Sequence, residues 1–240
     1  MGILINCDMG ESFGLYRCGD DEGIMPHIHI ANVACGFHAA DPVVMRQAVR
    51  LAAEHGVAVG AHPSFPDLQG FGRREMKMGR DELSACVLYQ VGALKAFLDA
   101  AELPLNHIKP HGALYGAASR NEEVAQAIAD AAEVYGVPVL GMSGTLHERV
   151  YTERGLPFLA EYYVDLDYDG DGKLIITREH PARDPVEASR RAVRVMEEGV
   201  ATAIDGTEFP MRADCVCVHS DTPNAVELVK AVKTALTPWF

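Results

Sequence analysis

The chain has 240 residues, 48% apolar and 23% charged, a composition that suits a globular domain with a sizeable core and excludes a disordered or collagen-like chain. Lys and Arg number 21 against 34 Asp and Glu, and the formal charge of −13 repels nucleic-acid phosphates and anionic membrane surfaces. No uninterrupted apolar run reaches the roughly 20 residues of a membrane span, Asp8 breaks the N-terminus before a signal core develops, and six cysteines without a Cys-x-x-Cys pair read as reduced thiols, so the expectation is a cytoplasmic protein.

Runs rich in β-branched residues predict strands at 3–7, 29–34, 57–61, 106–109, 137–141, 157–162 and 214–218. Between them, apolar residues at helical spacing predict helices at 42–55, 80–102, 121–135, 146–154, 185–198 and 222–236. Asp41-Pro42 and Asp184-Pro185 each join an N-cap acid to a proline at the first helical position, and Gly56, Gly136 and Gly199 stand where a left-handed residue closes a last turn. Two departures from this rhythm read as hairpins. One lies at 165–178, turning at an Asp-Gly and with its second arm at 173–177; the other lies at 202–211, around Asp205-Gly206. Neither is a linker, and without repeats the expectation is a single catalytic domain over residues 1–240.

Strands alternating with helices imply a parallel sheet, either closed into a (β/α) barrel or open and doubly wound. In an open sheet functional groups gather at a switch point, whereas in a barrel the C-terminal ends of many strands converge on one axis. Here nearly every strand end carries a chemical group, which favours the seven-stranded barrel. The first delivers Asn6, Asp8 and Glu11, the second His38, the third His62, the fourth Lys109 and His111, and the last His219 and Asp221. One histidine in such a place is commonly structural; four on one rim point to a shared site.

Asp8 and Glu11 are candidates for acid/base catalysis and Lys109 for charge stabilisation. His38, His62 and His111, with Asp8, form a candidate set for a divalent metal, although no local signature such as His-Glu-x-x-His supports it. The same groups also suit metal-free chemistry, with His and Lys109 donating to a polarised carbonyl oxygen. Residues 64–74, with two glycines, two aromatics and the pair Arg73-Arg74, read as a lid whose arginines suit a carboxylate or phosphate. Asn6, His219 and Asp221 complete the candidate substrate- or phosphate-binding set. Asp165-x-Asp167-x-Asp169-Gly170 begins like a calcium loop, but Ile176 stands where a bidentate Glu is needed; Walker, dinucleotide and nucleophile-elbow motifs are absent.

The segments 6–14, 31–38, 57–63, 70–74, 109–115 and 216–223 together resemble the LamB/YcsF family, and the likeness runs from the first strand to the last helix. The resemblance implies a (β/α) barrel, seven-stranded and of glycoside hydrolase/deacetylase type. It further implies ATP-dependent opening of 5-oxo-L-proline to L-glutamate, with ATP as cofactor and with the 5-oxoprolinase subunits B and C (PxpB and PxpC) as partners. Phosphorylating the amide oxygen of an unstrained lactam would activate it for attack by water. One departure concerns Tyr163-Val164-Asp165-Leu166-Asp167-Tyr168, where the family usually reads Phe-Ala-Asp-Arg-x-Tyr, so that Leu166 replaces a cation. A metal-dependent amidohydrolase or deacetylase working without ATP is the alternative reading, and a lactam- or carbohydrate-binding module is a third.

Overall fold

A computed structural model describes residues 2–177, 179 and 181–240. In chain order the strands are β1 (Leu4–Met9), β2 (Ile30–Ala34), β3 (Ala58–His62), β4 (Leu105–Ile108), β5 (Val139–Gly141), β6 (Phe158–Tyr163), β7 (Val200–Thr202), β8 (Glu208–Pro210) and β9 (Cys215–His219). Strands β1 to β6 and β9 close into a seven-stranded parallel barrel, with β9 seated between β6 and β1, while β7 and β8 form an antiparallel hairpin outside it. The helices are α1 (Asp21–Ile24), α2 (Pro42–His55), α3 (Arg80–Ala100), α4 (Gly112–Ala118), α5 (Glu122–Tyr135), α6 (Leu146–Glu153), α7 (Pro185–Glu198) and α8 (Ala225–Leu236). The fold expected from the sequence is therefore the one observed.

Local chemistry explains the helix ends. The Asp41 carboxylate accepts from the Val43 and Val44 amides and that of Asp184 from Val186, and Gly56, Gly136 and Gly199 close their helices at φ 65°, 63° and 67°. α1 and α4 are absent from the sequence reading because four and seven residues are too few to display a helical period. β1 and β9 run further than expected, to Met9 and His219, because parallel neighbours extend the ladder: Met9 pairs with Val33, and Asp8 with both Asn32 and His219. At 165–178 the anticipated second arm is not a strand among the described residues. A single bridge, Tyr168 to Leu174, closes the turn, and Arg178 lies outside the described residues. α3 is long and apolar enough to cross a bilayer by length and composition, unlike the expectation from uninterrupted runs, yet Leu83, Val87, Val91, Leu94 and Leu98 are buried in the domain.

Side chains of alternate strand residues fill the barrel in layers. Leu4, Ile30, Ala58, Leu140, Leu159 and Cys215 form an apolar plug. One step along the strands the filling turns polar, with Asn6, Asn32, His107, Glu161 and Cys217, all at 0% exposure. Gly60 belongs to this layer, and a Cβ there would stand 2.2 Å from the His107 ring, so glycine is the residue that admits the imidazole. A further step brings Asp8, His62 and His219 to the C-terminal mouth.

Candidate active site

Two lines of interaction meet at Asp8. Its Oδ1 accepts from the Lys109 ammonium at 2.7 Å and the Asn32 amide at 2.8 Å, and its Oδ2 lies 3.1 Å from His62 Nε2 and 3.6 Å from His219 Nε2. Burial alone would raise the Asp8 pKa, but the charges of His62 and Lys109 and the His62 hydrogen bond hold it well below the usual carboxylate range. Lys109, itself 1% exposed, also reaches Glu161 Oε1 at 3.1 Å and Cys217 Sγ at 3.0 Å and lies 5.1 Å from the Tyr163 ring centroid. Burial opposes its charge, yet Asp8, Cys217 and Glu161 keep its pKa well above the ordinary lysine value. Glu161 in turn accepts from the Tyr163 hydroxyl at 2.8 Å.

Beside this pair lies a cluster of Glu11, His38, His62 and His111 whose ligating atoms all fall within 4.8 Å of one another. Backbone carbonyls assign the tautomers. His62 Nδ1 donates to the Lys109 carbonyl at 2.7 Å and His111 Nε2 to the Phe71 carbonyl at 2.8 Å, so His62 Nε2 and His111 Nδ1 turn toward each other at 3.0 Å. Glu11 Oε1 lies 3.4 Å from His111 Nδ1 and 3.0 Å from His38 Nε2, and the His38 and His111 rings stack with centroids 3.8 Å apart. Lone pairs meeting at such distances need a proton or a cation among them. Burial and the charges of Asp8 and Asp221 push Glu11 well above its usual pKa, and burial with neighbouring cations holds His38 and His111 well below theirs. An imidazole and carboxylate donor set, oriented by carbonyls and short of positive charge, fits a divalent metal ion.

The structure brings Asp8, Glu11, His38, His62, Lys109, His111 and His219 together at one mouth, as their strand ends suggested. The carboxylate grouped with the three histidines is Glu11, whereas the expectation gave that place to Asp8; Asp8 is held instead by Lys109 and Asn32. Asn6 lies a layer deeper, its carbonyl accepting from Asn32 and Lys109, and does not line the cavity. The arginine pair divides. The Arg73 side chain is 4% exposed, ion-paired to Asp221 at 2.8 Å, and lines the cavity, whereas that of Arg74 is 63% exposed and turned away onto Asp67, so its expected substrate contact is corrected. Nor is the 64–74 loop a loose flap. Ser64 exchanges hydrogen bonds with Gln90, Asp67 ties the Gly70 and Arg74 amides, and the Gly72 carbonyl accepts from Ala113.

Gly72 is wedged at φ 63° where a Cβ would come within 2.8 Å of both His38 and His111. Above Lys109 lies a cavity of about 20 Å³, room for about one water molecule, walled by Tyr115, Tyr163, Leu166, Leu174 and Ile176. Leu166 thus puts an apolar surface into the cavity.

Glu161 and Asp165 are buried acids touching Lys109 and His219 that the sequence reading did not place in the site. Glu161 interrupts the apolar strand β6, and a buried carboxylate with no local partner in sequence is a signal that could have flagged it. Asp165 accepts from the His219 backbone amide at 2.7 Å and lies 3.1 Å from His219 Nδ1.

Residues 3–238 match the sequence model of the LamB/YcsF family. The chain belongs to that family. Among its members, the A subunit of a Thermus thermophilus 5-oxoprolinase is 48% identical, the match covering 98% of this chain and 96% of the relative. The lactam utilization protein lamB of Emericella nidulans is 45% identical over 96% of this chain and 92% of its own. The crystal structure of a lactam utilization protein from Thermus thermophilus superposes with a TM-score of 0.91 at 47% identity, covering 99% of this chain and 97% of that one.

Proposed function

We propose that this chain is the A component of a cytoplasmic ATP-dependent 5-oxoprolinase, opening the lactam of 5-oxo-L-proline to L-glutamate together with subunits B and C (PxpB and PxpC). The observation that carries the reading is the pairing of an ionised Asp8 with a buried Lys109 on the lining of a small cavity at the barrel mouth, in a chain whose relatives are named for lactam utilization and 5-oxoprolinase. Asp8 takes a proton from the attacking water, and Lys109 steadies the negative charge that grows on the carbonyl oxygen. Arg73, the buried arginine of the wall, receives the substrate carboxylate, and the apolar face of Leu166, Leu174 and Ile176 packs against ring methylenes. ATP would activate the amide oxygen by phosphorylation, and Lys109 would then face the charge of the transferred phosphoryl group. Six free cysteines accord with a reducing compartment.

Glu11, His38, His62 and His111 would hold a divalent ion, which when bound supplies Lewis-acid polarisation of a carbonyl or of water. That cluster favours a second reading, an amidohydrolase that needs the metal and not ATP. The test is glutamate and phosphate release from 5-oxoproline and ATP, by this chain alone and with the two partner subunits, alongside metal analysis of the purified protein. Strictly ATP-coupled glutamate formation supports the first reading. Ring opening without ATP replaces it with the second, and no opening in any combination removes both.

A further inference from the structure

Ring opening breaks the C–N bond and leaves an electron pair on the ring nitrogen, which departs as an amine only if a proton reaches it. Asp8 removes a proton from water and cannot at the same time deliver one, so the reaction needs a second group on the other side of the cavity.

His219 lines the cavity opposite the metal-type cluster. Its register is fixed by the ladder, since Asp8 and His219 are direct partners of β1 and β9. Asp165, at 0% exposure just past the end of β6, fixes the ring: its Oδ2 accepts the His219 backbone amide at 2.7 Å, and its carboxylate oxygens lie 3.1 and 3.2 Å from Nδ1. Tyr163 stacks on the imidazole with centroids 5.4 Å apart and planes at 18°. Nδ1 therefore carries a proton toward Asp165, and Nε2 faces the site, 3.6 Å from Asp8 Oδ2. We propose that His219 is the general acid of ring opening, donating from Nε2 to the departing nitrogen, and that Asp165 is its positioning residue.

The assignment rests on the lactam-opening reading and completes its proton balance. Water adds its oxygen to the carbonyl carbon and yields one proton to Asp8. As the C–N bond breaks, its pair stays on nitrogen and takes the Nε2 proton, the added hydroxyl passes its proton to the freed amine as it becomes the new carbonyl, and the acyl phosphate left on the activated oxygen is hydrolysed by a second water to carboxylate and phosphate. The proton on Asp8 then returns to Nε2 across the short gap between them, leaving both groups as they began. The titratable and charged groups around the ring are Asp165, Asp8, Tyr163, Cys217 and, further off, Lys109. Burial opposes protonation of His219, but the charge and hydrogen bond of Asp165 and the charge of Asp8 hold its pKa above the ordinary histidine value.

The experiment compares 5-oxo-L-proline with the thiolactone of the same ring, whose thiolate leaves without needing a proton, using the chain assembled with its partner subunits. His219→Gln should lower kcat for the lactam by about 10²- to 10⁴-fold with KM little changed, and lower kcat for the thiolactone by under tenfold. Asp165→Asn should lower lactam kcat similarly, and ¹⁵N spectra of the imidazole should show its tautomer shifted off Nδ1–H, which a merely structural role would not produce. Equal losses on both substrates, or wild-type kcat in His219→Gln, overturn this role while leaving lactam opening intact. If the wild-type assembly opens neither ring, with or without ATP, the functional reading falls and this role with it.

Discussion

Across the mouth of the barrel, β1 to β4 and the loops that follow them contribute Glu11, His38, His62 and His111, crowded so closely that their lone pairs face one another, whereas the end of β9 and the turn after β6 contribute His219 and the carboxylate of Asp165 that holds it. The first side is short of positive charge and built for a cation; the second already holds its proton and is built to give it away. Asp8 and Lys109 stand between, touching both. The difference teaches that histidines equivalent in sequence, each next to a strand end, take their chemistry from what lies behind the ring: a carbonyl for His62 and His111, a carboxylate for His219.

The largest effect expected is at the junction. Asp8→Ala should abolish turnover and also destabilise the fold by about 3–5 kcal/mol in denaturant titration, because it strips a buried lysine of its nearest counter-charge. A normally stable Asp8→Ala would show that Glu161 alone satisfies Lys109.

On the cation side, a chelator should lower the Tm and added zinc or manganese restore it, by about 2.7 kcal/mol when free metal is roughly a hundred times Kd. Glu11→Gln should erase that response, and an identical response in Glu11→Gln would separate the metal from this cluster. Gly72→Ala attacks the same side through packing. Its Cβ has no room between His38 and His111, so a loss of about 1–3 kcal/mol and of the metal response is expected.

Behind Glu11, Asp21 tests charge burial. Its Oδ2 accepts from the Gly10 amide at 3.0 Å, but burial pushes its pKa up to about 6. Because the folded state holds the proton more tightly than the unfolded chain, this residue's contribution to stability falls as pH rises from about 4 to 6. Asp21→Asn should therefore gain up to about 3 kcal/mol at pH 7 and nothing at pH 3.5, as read from unfolding at the two pH values. The smallest effect separates the two arginines: Arg74→Ala should leave activity and Tm unchanged within error, while Arg73→Ala raises KM for a carboxylate-bearing lactam.

Much of the architecture was legible because it is written locally. Apolar runs and helical spacing located the seven barrel strands, Asp-Pro pairs and glycines marked the helix ends, and polar residues at strand termini pointed to one rim. The short helices α1 and α4 were hidden because they are too brief to show a period. Likewise the 165–178 turn kept a single bridge where an arm was expected, since turn residues specify a reversal and not the length of the ladder that follows it.

The sequence by itself determined which groups reach the barrel mouth, since strand period and caps depend on near neighbours. Only the tertiary structure decided which of them meet: that Glu11 groups with His38, His62 and His111 while Asp8 reaches His62 and His219, that Arg73 turns inward while Arg74 turns out, and that Glu161 and Asp165 support Lys109 and His219. Those choices depend on the register with which β9 closes the barrel between β6 and β1 and on the path of the loops over its rim, so they set contacts between residues remote in sequence, 101 positions apart for Lys109 and Asp8 and 108 for Lys109 and Cys217. Local pattern carries no record of such distances.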